Sequence, residues 1–282
     1  MRNERERTPP AGTPQPTIAL LVSDVDGTLV DHDKSLRPAT IEAVRRLRAA
    51  GIGFTVISAR PPSGVQPIAD ALALDGPIAA FNGGTVFRRG GEVMEEHLVP
   101  AKVGRGMVEL AAGSGANVWV FAEGRWYADD EGNPRVPREK RSANQEPVLG
   151  ADLSALATRA GKITFVSDDP PVLADLLERG RDRWGGQATI AQSQTYYLDV
   201  TARQANKGAG VEALARAAGV GLEQVMVLGD MRNDLPMLTR AGLAVVMGQA
   251  LDDVKAAAHW ITASNDEDGV AKALARLLAE RG

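Results

Sequence analysis

The stretch T-I-A-L-L-V-S-D-V-D-G-T-L-V, residues 17–30, decides how the rest of the chain is read. Ile18 to Ser23 is apolar without alternation, as a strand covered on both faces requires, and the run stops at Asp24, Asp26 and Gly27. Asp and Gly together are ordinary turn formers. In a doubly wound sheet, however, ligands bind beyond the carboxyl ends of the strands, so two acids placed there stand where chemistry occurs. A calcium loop also begins Asp-x-Asp, but it needs a further oxygen ligand at its fifth position and a glutamate at its twelfth. Those positions hold Thr28 and Ser35, and the calcium reading fails. Interrupted by two acids, the run also falls far short of the roughly 18 apolar residues of a membrane span.

Working outward, Pro38 to Ala50 places Ile41, Val44 and Leu47 at helical spacing and stops at Gly51. Ile52 to Ile57 is a second strand, Val65 to Leu72 a helix, and Ile78 to Phe81 a third strand ending at Asn82-Gly83-Gly84. The last third resumes this rhythm. It reads as a helix over Lys207 to Ala218, a strand Val225 to Leu228, a helix Leu235 to Ala241, a strand Leu243 to Met247, a helix Leu251 to Ala258 and a closing helix from Gly269. Strands alternating with helices predict an α/β fold, a doubly wound parallel sheet with right-handed crossovers.

The middle breaks the rhythm. Thr85 to Arg88 with Val93 to Leu98, and Val118 to Ala122 with Trp126 to Ala128, are strand pairs around tight turns. Helices at Val103 to Ala112 and Val172 to Trp184 and strands at Ile163 to Val166 and Tyr196 to Val200 complete an inserted α+β domain. The expected organisation is a flexible tail over 1–16, a core over 17–85 and 198–282, and a cap over 86–197 that moves on hinges near Thr85 and Tyr197 to Thr201. Asp129 to Pro147, rich in charge and proline, reads as an exposed loop of the cap.

Composition narrows the chemistry. The 282 residues are 44% hydrophobic and 24% charged, ordinary globular usage, and a net charge of -4 offers no basic excess for a nucleic acid backbone. With no cysteine there is no disulfide, thiolate nucleophile or cysteine-ligated zinc, and His32, His97 and His259 are scattered. A metal is therefore expected on oxygen ligands, which suit magnesium, calcium or manganese. The N-terminal residues, charged and proline-rich, carry no signal-peptide pattern, and neither a membrane partner nor export is expected; the expected compartment is the cytoplasm.

The second acidic strand end, Gly229-Asp230-Met231-Arg232-Asn233-Asp234, changes the odds for the first. Asn233 or Asp234 alone would be read as a helix cap. Two strands of one sheet that both end in acids bring carboxylates together, and such a cluster calls for a cation; magnesium fits best. Ser58 ends the second strand, where its hydroxyl and the neighbouring amides of Ala59 and Arg60 can grip a phosphate oxygen. Lys207, the only lysine between Lys162 and Lys255, is the positive charge that a dianionic substrate requires at the mouth of the cluster.

In order and spacing, Asp24-Val25-Asp26-Gly27-Thr28, Ser58, Lys207 and the 229–234 segment resemble the four motifs of the haloacid dehalogenase superfamily, and the insertion resembles the C2 cap of its Cof-type, class IIB phosphatases. Asn82-Gly83-Gly84, Asp199 to Gly208, Met247 to Ala250 and Asn265 to Val270 add to the likeness, which covers 17–282. Ser58-Ala59-Arg60 stands where Thr-Gly-Arg is common, Met231 where a small residue is frequent, and Gly84 where Ala is usual; none of these removes a reacting group. The resemblance implies a magnesium-dependent phosphatase of small phosphate monoesters, a phosphoric monoester hydrolase. In it Asp24 is the nucleophile that becomes an aspartyl-phosphate, and Asp26 protonates the leaving oxygen and later activates water. Asp24, the Asp26 carbonyl and Asp230 hold Mg2+, with Asn233 and Asp234 behind them. Ser58, Ala59, Arg60, Asn82, Gly83, Lys207 and Asn233 bind the phosphate.

Three alternatives stand beside this reading. A phosphotransferase or phosphomutase would pass the phosphoryl group to a sugar, and a non-catalytic protein would only bind the phosphometabolite. A phospho-accepting receiver shares acids, magnesium and lysine but lacks so large an insertion. Candidate substrate contacts in the cap are Trp119, Arg125, Trp126, Tyr127, Arg138, Lys140 and Tyr196, although aromatics on strands are more often core.

Overall fold

The computed structural model describes residues 17–281, so the expected tail over 1–16 lies outside the described residues. The chain lays down β1 (Leu20–Asp24), α1 (Pro38–Ala49), β2 (Gly53–Ile57), α2 (Pro62–Ala71), β3 (Pro77–Ala80), β4 (Thr85–Arg88) and β5 (Val93–Glu96). There follow α3 (Ala101–Ala111), β6 (Asn117–Ala122), β7 (Arg125–Ala128), α4 (Val136–Ala143), α5 (Leu153–Ala157), β8 (Ala160–Val166), α6 (Pro170–Trp184), β9 (Ala188–Gln194) and β10 (Tyr197–Ala202). The last segment holds α7 (Lys207–Ala218), β11 (Val225–Gly229), α8 (Leu235–Leu238), β12 (Leu243–Val246), α9 (Asp252–Lys255), β13 (Trp260–Ile261) and α10 (Gly269–Ala279).

The strands form an eight-stranded sheet in the order β13-β12-β11-β1-β2-β3-β4-β5 and a five-stranded sheet in the order β7-β6-β8-β10-β9. From β13 to β3 the large sheet is parallel. Its two faces carry separate apolar layers, which is why β1 reads as an unbroken apolar run. Val44, Leu47, Val65, Ile68 and Leu274 cover one face, and Val211, Leu214, Met237 and Val254 cover the other. Within α1 the buried stripe is Thr40, Val44 and Leu47, and the expected Ile41 is turned to solvent. The architecture is the expected α/β fold with helices on both faces of the sheet.

Both boundaries of the expected cap shift. The hairpin β4–β5, expected inside it, is the antiparallel edge of the large sheet, with Ile78 opposite Phe87; Val86 and Phe87 are buried against opposite faces of that sheet, which anchors the strand there. At the other end, β10 runs through Ala202 between β8 and β9 of the small sheet. The chain therefore crosses between the sheets near Leu98 and over 203–206, not at Thr85 and 197–201. The charged stretch 129–147 is a second correction. It contains α4, whose Val136, Glu139 and Ala143 form one buried face; Pro137, Arg138 and Arg141 are exposed and conceal the helix.

The small sheet is antiparallel. One face is covered by α3, α5 and α6 around Val103, Met107, Leu173 and Leu176. The other, with Trp119, Phe121, Trp126 and Tyr197, meets Phe81 of the large-sheet segment and the buried face of α4. The edge strand β9, Ala-Thr-Ile-Ala-Gln-Ser-Gln, buries only Ala188 and Ile190 fully, too weak an alternation to announce a strand in sequence.

Candidate active site

β1 and β11 are neighbours in parallel register, Leu20 beside Val225 through Ser23 beside Leu228, so Asp24 and Asp230 emerge side by side. The turn after β1 depends on Gly27 at φ +88°, where a Cβ would stand 2.4 Å from Asp230 Oδ2. A hydrogen fits there and a methyl group does not. Thr28 Oγ1 donates to Asp230 Oδ1 at 3.1 Å and fixes the carboxylate. Asp234 Oδ2 accepts from the backbone N–H groups of Asp230 (2.8 Å) and Met231 (2.9 Å), while its Oδ1 accepts from Lys207 Nζ at 2.5 Å. Lys207 also donates to Asp24 Oδ1.

Lys207 reaches the strand ends as the first residue of α7, whose Asn206 cap accepts from Ala209 N at 3.0 Å. The helix lies directly against the Asn82-Gly83 turn. A Cβ on Gly83, at φ +96°, would stand 2.6 Å from Gly210 Cα, so the close approach that seats Lys207 needs glycine.

Lys207, Asp24, Asp230 and Asp234 are all buried. Burial pushes the Asp24 carboxyl up to about 8; Lys207 pulls against this and the charges of Asp234 and Asp230 add to it. Asp230 is pushed up to about 6 by burial and by Asp234. Burial works against the charge on Lys207, yet Asp234 and Asp24 overcome it and hold the ammonium protonated. Carboxylate oxygens of Asp24, Asp230 and Asp234 lie within 4.8 Å of one another. Three buried acids thus face one buried cation in a set of oxygen donors, a deficit of positive charge that a hard divalent ion would meet. The residues present fit such an ion. Asp234, whose oxygens are occupied by two amides and the ammonium, positions Lys207 and the 230–231 backbone instead of offering a free ligand.

Ser58 is buried, its Oγ accepts from Arg60 N at 3.1 Å, and its carbonyl accepts from Asn82 N at 2.7 Å. Phe81 N donates to the Arg60 carbonyl at 2.9 Å. Ser58, Ala59, Arg60, Asn82 and Gly83 are therefore one tied rim. Phe81 and Asn82 both adopt positive φ, 48° and 57°, to make the turn, and Asn233 Nδ2 reaches Asn82 Oδ1 at 3.4 Å. The Arg60 side chain grips Asp26 bidentately, Nε to Oδ2 and Nη2 to Oδ1, both 2.7 Å, and Lys34 Nζ adds a third contact at 2.7 Å. Although burial works the other way, Arg60 and then Lys34 hold the Asp26 carboxyl down at about 2.

Gln249 and Asn265, marked in sequence only as parts of the segments 247–250 and 265–270, act on the loop after β1. Gln249 Nε2 donates to the Gly27 carbonyl at 2.5 Å, Asn265 N donates to Gln249 Oε1 at 3.2 Å, and Asn265 Nδ2 donates to the Val30 carbonyl at 3.0 Å. The two C-terminal turns thus clamp the loop that follows β1. Lys34 gave no signal of its own.

Of the cap candidates, Trp119 and Trp126 are wholly buried, edge to face at 5.1 Å, and Tyr127 packs on the far side of the small sheet. Arg125 is exposed, and Lys140 pairs with Glu146 at 2.5 Å. Arg138 and Tyr196 lie together, 5.9 Å from guanidinium to ring, with Arg135 over the same ring at 3.9 Å. The cap is held down by α4: Ser63 Oγ donates to the Ala143 carbonyl (2.6 Å), Gln145 Nε2 donates to Ser63 Oγ (2.7 Å) and Asn144 Nδ2 donates to the Ser63 carbonyl (3.4 Å). Among the described residues, no helix is long and apolar enough to cross a membrane.

A doubly wound core with acids at adjacent strand ends, a buried lysine between them and an α+β insertion overhead defines a capped hydrolase. Comparison with known proteins agrees. Residues 21–274 match the family of haloacid dehalogenase-like hydrolases. A putative phosphatase of Haemophilus influenzae is 30% identical over 250 residues, 88% of this chain and 94% of the relative. A haloacid dehalogenase-like hydrolase from Bacteroides thetaiotaomicron superposes with a TM-score of 0.86 at 29% identity, over 93% of this chain and all of that one. A sugar phosphatase of subclass IIB superposes with a TM-score of 0.77 at 26% identity, over 91% of this chain and 98% of its own. The chain belongs to the haloacid dehalogenase-like hydrolases, and within them to the Cof-type phosphoric monoester hydrolases.

Proposed function

We propose that the chain is a magnesium-dependent phosphatase of small phosphate monoesters that works through an aspartyl-phosphate on Asp24. The observation that carries this reading is the buried triad of Lys207 between Asp24 and Asp234, with Asp230 beside it at the next strand end.

Asp24 Oδ attacks phosphorus as the ester P–O bond breaks, and the leaving oxygen takes a proton from Asp26. Water then attacks the acyl phosphate, gives its proton to Asp26, and releases phosphate with the Asp24 carboxylate restored. Held ionised by Arg60 and Lys34, Asp26 is suited as it stands to accept a proton; to donate one, its carboxyl has to leave them, a change that entry of a phosphate dianion beside Arg60 would favour. Lys207 opposes the burial that pushes the Asp24 carboxyl up and offsets charge on the incoming group, Ser58 and Asn233 hold the non-bridging oxygens, and the amides of Ala59 to Arg60 and Asn82 to Gly83 line the rim. Asp24, Asp230 and the Asp26 carbonyl would hold magnesium. A bound divalent ion supplies positive charge opposite the dianion and settles the surplus of buried acids.

Small esters are favoured because the subclass IIB relative is a sugar phosphatase. The test is phosphate release from a panel of sugar phosphates, pyridoxal phosphate and FMN, with magnesium and with EDTA. Metal-dependent release of free phosphate is expected. Full activity after chelation contradicts the metal assignment, and a phosphosugar product in place of phosphate contradicts hydrolysis.

A further inference from the structure

Glu139 is the group in the cap that the reaction above leaves unexplained. It lies on α4 on the same face as Val136 and Ala143, and Ala143 is the residue whose carbonyl accepts from Ser63 at the start of α2. That helix follows directly on the Ser58 to Arg60 rim, so α4 stands over the phosphate end of the site. Glu139 is 8% exposed, and no donor of the described residues lies within hydrogen-bond distance of its carboxyl. Buried carboxylates are ordinarily paired, because an unpaired one forfeits its hydration without return.

Its charged neighbours are Lys162 of β8, Asp199 of β10, Arg138 of α4 and Asp26 of the catalytic loop, which is near enough for the two carboxyls to repel. The other two acids have cations of their own. Asp199 has Lys162 at 3.2 Å and the Thr164 hydroxyl at 2.7 Å, and Asp26 has Arg60 and Lys34. Glu139 alone of the three lacks a partner. On the same face of the small sheet the Tyr197 hydroxyl and the indole N–H groups of Trp119 and Trp126 are buried without partners as well. Burial, with the nearby Glu139 charge, raises the Tyr197 hydroxyl, which remains a donor at any working pH.

We propose that Glu139 is a specificity-determining residue of this enzyme: its carboxylate receives a hydrogen-bond donor, a hydroxyl or a protonated nitrogen, carried by the leaving group of the phosphate ester. The inference rests on the phosphatase reading. Esters whose leaving group bears no donor gain nothing from Glu139.

The test compares the magnesium-loaded wild type with Glu139→Leu and Glu139→Gln on p-nitrophenyl phosphate, glucose 6-phosphate and glucosamine 6-phosphate. For Glu139→Leu the KM of both sugar esters should rise about 10-fold or more, the scale of a lost hydrogen bond to a charged group. The nitrophenyl ester should stay within about two-fold and the melting temperature should hold or rise, because an unpartnered buried charge has been removed. Glu139→Gln separates the two donors. It keeps an acceptor oxygen, so a large loss confined to glucosamine 6-phosphate identifies a cationic nitrogen, and small, equal losses on both sugars identify a hydroxyl. Equal changes on all three esters, or no change on any, overturn the proposal. A wild type that hydrolyses none of the three overturns the phosphatase reading instead.

Discussion

Gly64→Ala separates cap closure from folding. The residue sits in the first turn of α2, where a Cβ would stand 2.0 Å from the Ser142 carbonyl oxygen of α4, against 3.4 Å for ordinary contact. The 1.4 Å shortfall falls on backbone, so no side chain can rotate away and α4 has to retreat. With it go the Ser63–Ala143 and Gln145–Ser63 hydrogen bonds, at about 0.5–1.5 kcal/mol each. The closed arrangement loses about 1–3 kcal/mol, roughly a 5- to 150-fold drop in its population relative to the open one. Within α2 the same substitution is favourable, since alanine exceeds glycine in helix propensity by about 1 kcal/mol. The expected variant is therefore at least as heat-stable as wild type while its kcat/KM falls by about 5-fold or more. Melting curves and steady-state phosphate release on one protein preparation read both quantities. A Gly64→Ala enzyme within about two-fold of wild-type kcat/KM would show that the α2–α4 contact does not gate the reaction.

Two further outcomes follow from the charges at the strand ends. Magnesium at about 100 times its Kd should stabilise the wild type by about 2.7 kcal/mol, and Asp230→Asn should abolish most of that thermal shift; an equal shift in both proteins would remove Asp230 from the ligand set. For Asp26, whose folded value of about 2 lies below the ordinary 3.8, the contribution to stability is complete above pH 3.8 and is lost as pH falls through 2. Its size is about 1–2 kcal/mol, after allowance for a side chain that is 32% exposed. In metal-free protein, acid titration of wild type and Asp26→Asn should show a stability gap at neutral pH that closes by about pH 2, and a gap unchanged from pH 6 to pH 2 would refute the Arg60–Asp26 assignment.

Where a sequence signal was local, it transferred well to three dimensions. Asp24 is the last residue of β1, Asp230 directly follows β11 and Lys207 is the first residue of α7, and parallel strand pairing fixes where such ends go. Signals that depend on partners far along the chain were weaker. The β4–β5 hairpin carries the same tight turn wherever it docks, and only the burial of Val86 and Phe87 on opposite faces of the large sheet assigns it to the core. Glu139 was hidden in a charged, proline-bearing stretch because its helix buries one face against the small sheet and is tied to Ser63, 80 positions before Ala143. The partner of the Arg60 side chain, Asp26, could not be read from sequence because it is set by a loop whose path Gly27, Gln249 and Asn265 decide together.

The central claim is tested most directly by rapid acid quench of the magnesium-loaded enzyme during turnover, followed by intact mass and peptide mapping. One phosphoryl group is expected on the peptide containing Asp24, decaying as free phosphate is released and absent from Asp24→Asn, which still folds. Turnover with the phosphoryl group on another residue, or an Asp24→Asn protein that releases phosphate at the wild-type rate, would contradict it.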